Sequence, residues 1–347
     1  MPGNRPTIVA QADSASWDGA VPSVAALVAT YGRQHYLPEL LDALETQDLG
    51  RSDYEVVIVD NGSTDGTWDW LSERVAASSL RIRAVRLSHN RGPAAGRNHG
   101  ADQVRAPVLV ITDDDCIPTA QWLRGMRDSV LEGACVVQGA VHPDPVEVDS
   151  MGPWDHTKRI VRPTPFFETC NVAYRREAFV RAGGFDEDDP LLHPANGRAF
   201  GEDACLAWAV QAAGGAAGWN PTALVHHRCI ASDFARWLED QRQLEGFPGL
   251  ARRSPLVAGW LHRGMFLNRR SERFCVAVLG CVLAVVTRRP WLVVAATPWL
   301  RGRVSDVRKR GGRVGESIRL LVRYGISDSV ALTAMVRGSV RYRRPVL

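Results

Sequence analysis

Two rhythms of apolar and polar positions alternate along the first third of the chain. "SVAALVATY" (23–31) and "YEVVIVDNGSTDGT" (54–67) begin as continuous apolar runs and close on turn residues, the pattern of strands buried on both faces. "LPELLDALETQ" (37–47) and "TWDWLSERVAA" (67–77) instead repeat apolar residues at helical spacing. "LRIRAVRLS" (80–88) predicts a third strand, "GPAAGRNHGADQV" (92–104) a helix and "PVLVITDDD" (107–115) a fourth strand. Strand and helix in strict alternation predict an α/β domain with a mostly parallel central sheet flanked by helices. In such sheets ligands sit at the carboxyl ends of the strands. Thr30, Asp60 and the triplet Asp113, Asp114 and Asp115 all fall there.

Beyond the triplet the regular winding stops. "ACVVQGAV" (134–141) is followed by a Pro-rich stretch through residue 165, then by "ETCNVAYRREAFVRAGGFDE" (168–187). A loop rich in Asp, Pro and Gly (186–201) leads into "GEDACLAWAVQAAGG" (201–215), which predicts a helix opened by acids and closed by glycine. "AAGWNPTALVHHR" predicts one more strand. Residues 274–300 hold apolar stretches of 14 and 10 residues, broken by Arg288, Arg289 and Pro290. Each is short of the roughly 20 residues that cross a bilayer, so an interfacial or re-entrant hairpin is expected.

Charge divides the chain. The net formal charge of +4 conceals a basic back half: from Arg263 to the end there are 18 Lys and Arg against 4 Asp and Glu, so the preceding residues are net negative. The 347 residues therefore read as a loose N-terminal tail (1–20), an α/β domain (21–230) and a basic, partly apolar helical region (231–347). The first residues carry no basic-then-apolar leader pattern. The 7 cysteines are scattered, with no CxxC pair, so neither a disulfide framework nor a zinc knuckle is suggested and a reducing cytosol is expected. The basic region lacks interleaved aromatic platforms, so anionic lipid is a better expected partner than nucleic acid.

An Asp-x-Asp at a strand end can hold a hard divalent cation, and Mg²⁺ or Mn²⁺ normally shares its shell with substrate phosphates. A solvated turn or a helix cap is the ordinary alternative for the same residues. Asp60 stands where carboxylates of α/β sheets bind ribose hydroxyls or base N–H groups, or else where an Asx turn caps the next helix. Arg97, in "GRNHG", offers a cation near the phosphates if it is not simply a surface residue.

The order of the pieces is distinctive. "VATYGR", "VIVDNGSTDGT", "NRGPAAGRNHGA", "ITDDDCIP", "NVAYRREAFVRAGGFDE", "GED" and "ALVHH", spread over residues 23–230, together resemble glycosyltransferase family 2, the inverting GT-A glycosyltransferases that use nucleotide-diphospho-sugars. The resemblance implies that Thr30, Tyr31, Asp60, Arg97, Asp113 and Asp114 face a nucleotide-sugar, a UDP-sugar being the expected donor. It implies that Asp113 and Asp115 form the Asp-x-Asp, with Asp115 the direct ligand of Mn²⁺ or Mg²⁺. Asp203, beside Glu202, becomes the general base, and His227, with His226 as its rival, lies near the metal. The QxxRW motif of processive members is absent from "FARWLEDQRQ", which implies transfer of single sugars.

The expected activity is glycosyl transfer to a hydroxyl of a glycan or lipid-linked acceptor, in synthesis of the cell envelope or another glycan. The expected place is the cytoplasmic face of a membrane. A sugar nucleotidyltransferase and a non-catalytic, membrane-tethered nucleotide-sugar-binding protein are the alternatives. The first is disfavoured because "ATYGRQHYL" is not a Gly-rich phosphate loop, and the second because both acidic pairs are intact. Acceptor specificity would sit in residues 142–165 and 186–200, which carry no readable code.

Overall fold

The computed structural model describes residues 5–189, 200–311 and 314–347. It divides into two compact units, one running to Asp189 and resuming at Gly201–Ala231, the other formed chiefly by Ser232–Leu347.

The first unit is built on a nine-stranded sheet. Its elements are β1 (Ile8–Asp13), β2 (Val24–Thr30), α1 (Leu37–Glu45), β3 (Tyr54–Asp60), α2 (Thr67–Ala76), β4 (Ile82–Leu87), α3 (Pro93–Gln103) and β5 (Val108–Asp113). They continue with β6 (Cys116–Pro118), α4 (Trp122–Leu131), β7 (Val136–Pro143), β8 (Val172–Arg175), α5 (Arg176–Arg181), α6 (Glu202–Ala212) and β9 (Ala217–His227). The spatial order is β1-β4-β3-β2-β5-β8-β7-β9-β6. Parallel winding is confined to β2 through β5 and to the β7–β9 pair. The remaining pairings are antiparallel, so the sheet is mixed where the sequence reading expected it mostly parallel.

The apolar runs become the central strands because both their faces are covered. Every residue of β3 is buried. On one face Leu37, Leu40, Leu41 and Leu44 of α1 pack on Val24, Val56 and Ile58. On the other, α3 lies against Leu27 and Val59, and a Cβ at Gly100 would come within 2.2 Å of Leu27 Cδ1. Only glycine lets that helix approach the sheet so closely.

The second half of the sheet is fastened by one buried amide. Asn171 Nδ2 donates to the carbonyls of Ala140 (2.7 Å) and Ala223 (2.8 Å), and its Oδ1 accepts from Trp122 Nε1 (2.8 Å). These bonds tie β7, β9 and α4 together and so fix where β9 ends.

Residues 8–13, expected in a loose tail, form an edge strand antiparallel to β4. What holds them is polar and aromatic: Asp13 pairs with Arg83 at 2.8 Å, Ser14 Oγ donates to the Leu80 carbonyl, and Trp17 lies between the Arg83 and Arg105 guanidinium groups. None of this shows as an apolar run.

The second unit is helical: α7 (Phe234–Arg242), α8 (Phe247–Arg253), α9 (Pro255–Trp260), α10 (Arg269–Val286), α11 (Thr297–Arg310) and α12 (Val314–Tyr342). Its buried centre is an ion pair. Arg303 on α11 donates to both oxygens of Asp328 on α12, and Trp299 Nε1 adds a bond of 2.8 Å. The two apolar stretches do fold back on each other: α10 meets a 3₁₀ turn at Pro290–Ala296, with Gly280 against Ala295 and Leu292. Their outer faces stay bare, Val285, Val286, Trp291 and Val294 each being more than three-fifths exposed. No helix among the described residues is long and apolar enough to cross a membrane.

Candidate functional site

Strand register delivers the candidate residues to one end of the sheet. Thr30 pairs with Asp60 across β2 and β3, Ala29 with Asp113 across β2 and β5, and Cys116 with His227 across β6 and β9. α6 opens at Glu202 after Gly201, whose φ of +83° suits glycine, and its first turn carries Glu202 and Asp203, where the helix dipole favours negative charge. Thr30, Tyr31, Arg33, Arg97, Asp113 and Asp114 share the walls of a cavity of about 350 Å³.

The aspartate triplet splits three ways. Asp113 Oδ1 accepts from Arg97 Nη2 at 2.7 Å. Burial works to raise its pKa, but the Arg97 guanidinium outweighs it and holds the carboxyl below its ordinary value. Asp114 accepts from Thr30 Oγ1 (2.7 Å) and Arg33 Nη1 (3.0 Å), yet burial, with the Asp115 charge beside it, pushes it up to about 6. Asp115 offers one oxygen to Arg33 at 2.9 Å and turns the other toward His227 Nε2, 3.6 Å away.

That last pair fits a divalent cation. His227 Nδ1 lies 2.8 Å from the Arg228 carbonyl, which can only accept, so Nδ1 carries a proton and, in the neutral imidazole, Nε2 presents its lone pair to a carboxylate oxygen. In that form two acceptors face each other, an arrangement that a cation between them satisfies. Among the described residues, the group of His, Cys, Asp or Glu atoms close enough to share an ion is Asp115, Cys116 and His227, all buried. Cys116 is a core thiol that burial pushes well above its ordinary pKa, so a hard cation is left with the oxygen and the imidazole. Asp113 is not in this group, being tied to Arg97. Of the two histidines, His227 faces the triplet; His226 alternates to the other side of the strand.

The Arg97 guanidinium joins the two acidic centres. It lies 2.7 Å from Asp113 and 3.6 Å from Glu202, and is itself buried, so it is no surface residue. Asp203 is pushed up to about 8, first by burial and then by the charges of Glu202 and Glu168, against the Ala204 N–H and Arg97, which work to lower it. Asp60 is wholly buried. Its Oδ1 accepts from the Ser63 N–H, while Oδ2, with Arg86 3.5 Å away, accepts no hydrogen bond from the described residues.

Four further residues belong to the site without having stood out in the sequence. Arg33 and Arg86 pair with Asp114, Asp115 and Asp60. Glu168 and Lys158 flank Asp203. Lys158 keeps solvent exposure but is crowded by Cys170, Glu168, Asp203 and Asp113; burial works against its charge, and these neighbours nevertheless raise its pKa. It is carried there by an irregular segment pinned through paired bonds between His156 and Ile230 and between Val141 and Ile160. No periodicity could have revealed it. Residues 190–199, part of the expected acceptor region, lie outside the described residues.

A parallel β-α unit continued by a half-sheet of mixed direction, with acids gathered at the strand ends, is the GT-A fold. Residues 25–185 match the family described as glycosyl transferase family 2. It is 31% identical over 122 residues to glycosyltransferase AglE of Haloferax volcanii, covering 35% of this chain and 40% of that protein. It is 29% identical over 206 residues to validoxylamine A glucosyltransferase of Streptomyces hygroscopicus, covering 48% of this chain and 45% of that protein. The chain thus spans less than half the length of these curated relatives. In structure it is similar to the mannosyltransferase PcManGT of Pyrobaculum calidifontis, solved in complex with GDP-Man and Mn²⁺, with a TM-score of 0.54 and 19% identity over 92% of this chain and 88% of that one.

Arg97 is the counter-charge for two carboxylates. Replacing it in Arg97→Met costs about 3 kcal/mol of folding stability at pH 7, read from urea unfolding. Because Arg97 depresses the Asp113 pKa, this difference is full above pH 3.8, the ordinary aspartate value, and closes as the pH falls below it. A difference that does not change with pH contradicts the pairing.

Proposed function

We propose that the chain transfers a single sugar from a nucleotide-diphospho-sugar, a UDP-sugar being the expected donor, to an acceptor hydroxyl with inversion at the anomeric carbon. The observation that carries this reading is the Arg97 bridge, which sets Asp203, next to Glu202, beside the donor-side carboxylate Asp113. Relatives named as a glycosyltransferase and a glucosyltransferase, and a fold neighbour solved with GDP-Man and Mn²⁺, support the reaction class.

Each residue then has a task. Asp60, buried beside Arg86 at the end of β3, would turn a carboxylate oxygen to an N–H of the nucleobase, and Thr30 and Tyr31 line the cavity around the nucleoside. Arg33 and Arg97 supply positive charge where a diphosphate lies. Asp115 and His227 would hold Mn²⁺ or Mg²⁺, which when bound stabilises negative charge on the leaving diphosphate. Asp113 and Asp114 shape that end of the pocket. Asp203 accepts the proton of the attacking hydroxyl, and Glu202 and Glu168 keep its basicity high. Lys158 opposes them. Adenylyl- or uridylyl-type transfer needs no base on the far side of the sugar, so the Asp203 environment favours glycosyl transfer over the nucleotidyltransferase reading.

Asp203→Asn lowers turnover by about 10² to 10⁴ while donor affinity is kept. A base works above its pKa, so kcat/KM of the parent rises with pH through a limb near 8. Glu168→Gln removes a negative neighbour and moves that limb to lower pH; Lys158→Met removes a positive one and moves it to higher pH. An active Asp203→Asn, or a limb indifferent to both neighbours, removes Asp203 from the role.

The helical unit is proposed to rest on the cytoplasmic face of a membrane and bring the domain to a glycan or lipid-linked acceptor. The bare apolar face of the α10 hairpin, with Arg288 and Arg289 at its turn, favours shallow insertion beside anionic headgroups, each basic residue contributing about 1 kcal/mol. The full chain floats with anionic liposomes at low salt, and Val285→Ser with Trp291→Ser reduces the floated fraction. Flotation equal in parent and variant, or none at all, rejects this surface.

A further inference from the structure

A second cavity, of about 780 Å³, opens at the opposite end of the same sheet. β5 enters it at Val108 and reaches the candidate active site at Asp113, so the two lie roughly 17 Å apart along one strand. Four arginines line it, Arg105, Arg175, Arg176 and Arg181, against a single acid, Glu177. Arg181 is paired with Glu177, and Arg105 with Glu55 at 3.3 Å. The other two pair with no carboxylate among the described residues.

Arg175 spends one Nη2 bond on the Val130 carbonyl at 3.1 Å, and its buried Nε has no acceptor. The Arg176 side chain makes no hydrogen bond and no ion pair with any described residue, and its Nε too is buried without an acceptor. A third buried nitrogen, Arg105 Nη2, is likewise unmatched. Unmatched guanidinium nitrogens beside a concave wall are costly for the protein alone, and they lose that cost when an anion fills the cavity. The remaining wall is apolar, from Val21, Pro107, Val130, Leu131 and Val180.

We propose that this cavity is a second anion site, taking a phosphate group on Arg175 and Arg176, with room on the apolar wall for the body that carries it. Adjacent forked donors suit the several oxygens and double charge of a phosphate better than one carboxylate. The volume is that of a small-molecule pocket. This site owes nothing to the donor chemistry at the other end of β5.

Titration calorimetry of the full chain in EDTA at low ionic strength tests it, with inorganic phosphate and with dihexanoyl phosphatidic acid below its micelle concentration as probes. At least one probe binds, Asp115→Asn leaves that binding unchanged, and Arg175→Gln with Arg176→Gln weakens it tenfold or more. Arg176→Gln alone, which has no hydrogen bond to lose, shows a severalfold loss with an unchanged melting temperature. Comparable affinities for both probes assign the pocket to a free phosphate, and a tenfold preference for the lipid assigns it to a headgroup; either supports the site. No binding of either probe, or binding that survives the double substitution or disappears in Asp115→Asn, overturns it.

Discussion

The site depends on one buried cation. Arg97 sits on α3, in a helix drawn tight against the sheet by Gly100, and reaches a strand end on one side and the start of α6 on the other. Without a positive charge between them, the carboxylates of Asp113 and Glu202 would repel and the α6 end would be driven from the strand ends. With it, a carboxylate of lowered pKa and one of raised pKa stand in the same pocket. Such a division between neighbouring acids separates a group that stays charged from one that can exchange a proton near neutrality. Arg33 acts similarly at Asp114 and Asp115, so the acid-rich end of the sheet is neutralised by residues of its own chain.

The parallel half of the fold was legible because buried strands and amphipathic helices write their periods directly. β2 through β5 and their helices follow the apolar runs closely, and the register of those strands sends Thr30, Asp60 and Asp113 to one edge. The rest was not legible for a physical reason in each case. β1 is held by Asp13, Ser14 and Trp17, through an ion pair, a hydroxyl bond and guanidinium stacking, none of which has a period. The closure of the second half rests on Asn171, a lone polar residue whose partners lie about 30 and 50 positions away in sequence.

The candidate site shows the same limit. Acids at strand ends were visible as motifs, but the cations that pair with them were not, because Arg33, Arg86 and Lys158 are assigned by tertiary placement. Asp113 and Asp115 read alike in the sequence as members of one Asp-x-Asp. In the structure they diverge, Asp113 toward Arg97 and Asp115 toward His227. The opposite end of β5 makes a parallel point: Arg175 and Arg176 look like ordinary surface arginines until the lack of carboxylates around them is seen. Charge in the helical unit is likewise two populations, a buried Arg303–Asp328 pair that fastens α11 to α12 and exposed arginines beside a bare apolar hairpin.

The central claim is that the donor-side cation belongs to Asp115 and His227 while Asp113 belongs to Arg97. Electron paramagnetic resonance of Mn²⁺ titrated into the full chain, with a UDP-sugar present, measures this without relying on turnover. The account predicts one bound Mn²⁺ per chain in the parent, binding weakened at least tenfold in Asp115→Asn and His227→Ala, and binding largely kept in Asp113→Asn. Loss of Mn²⁺ in Asp113→Asn with retention in Asp115→Asn would contradict it.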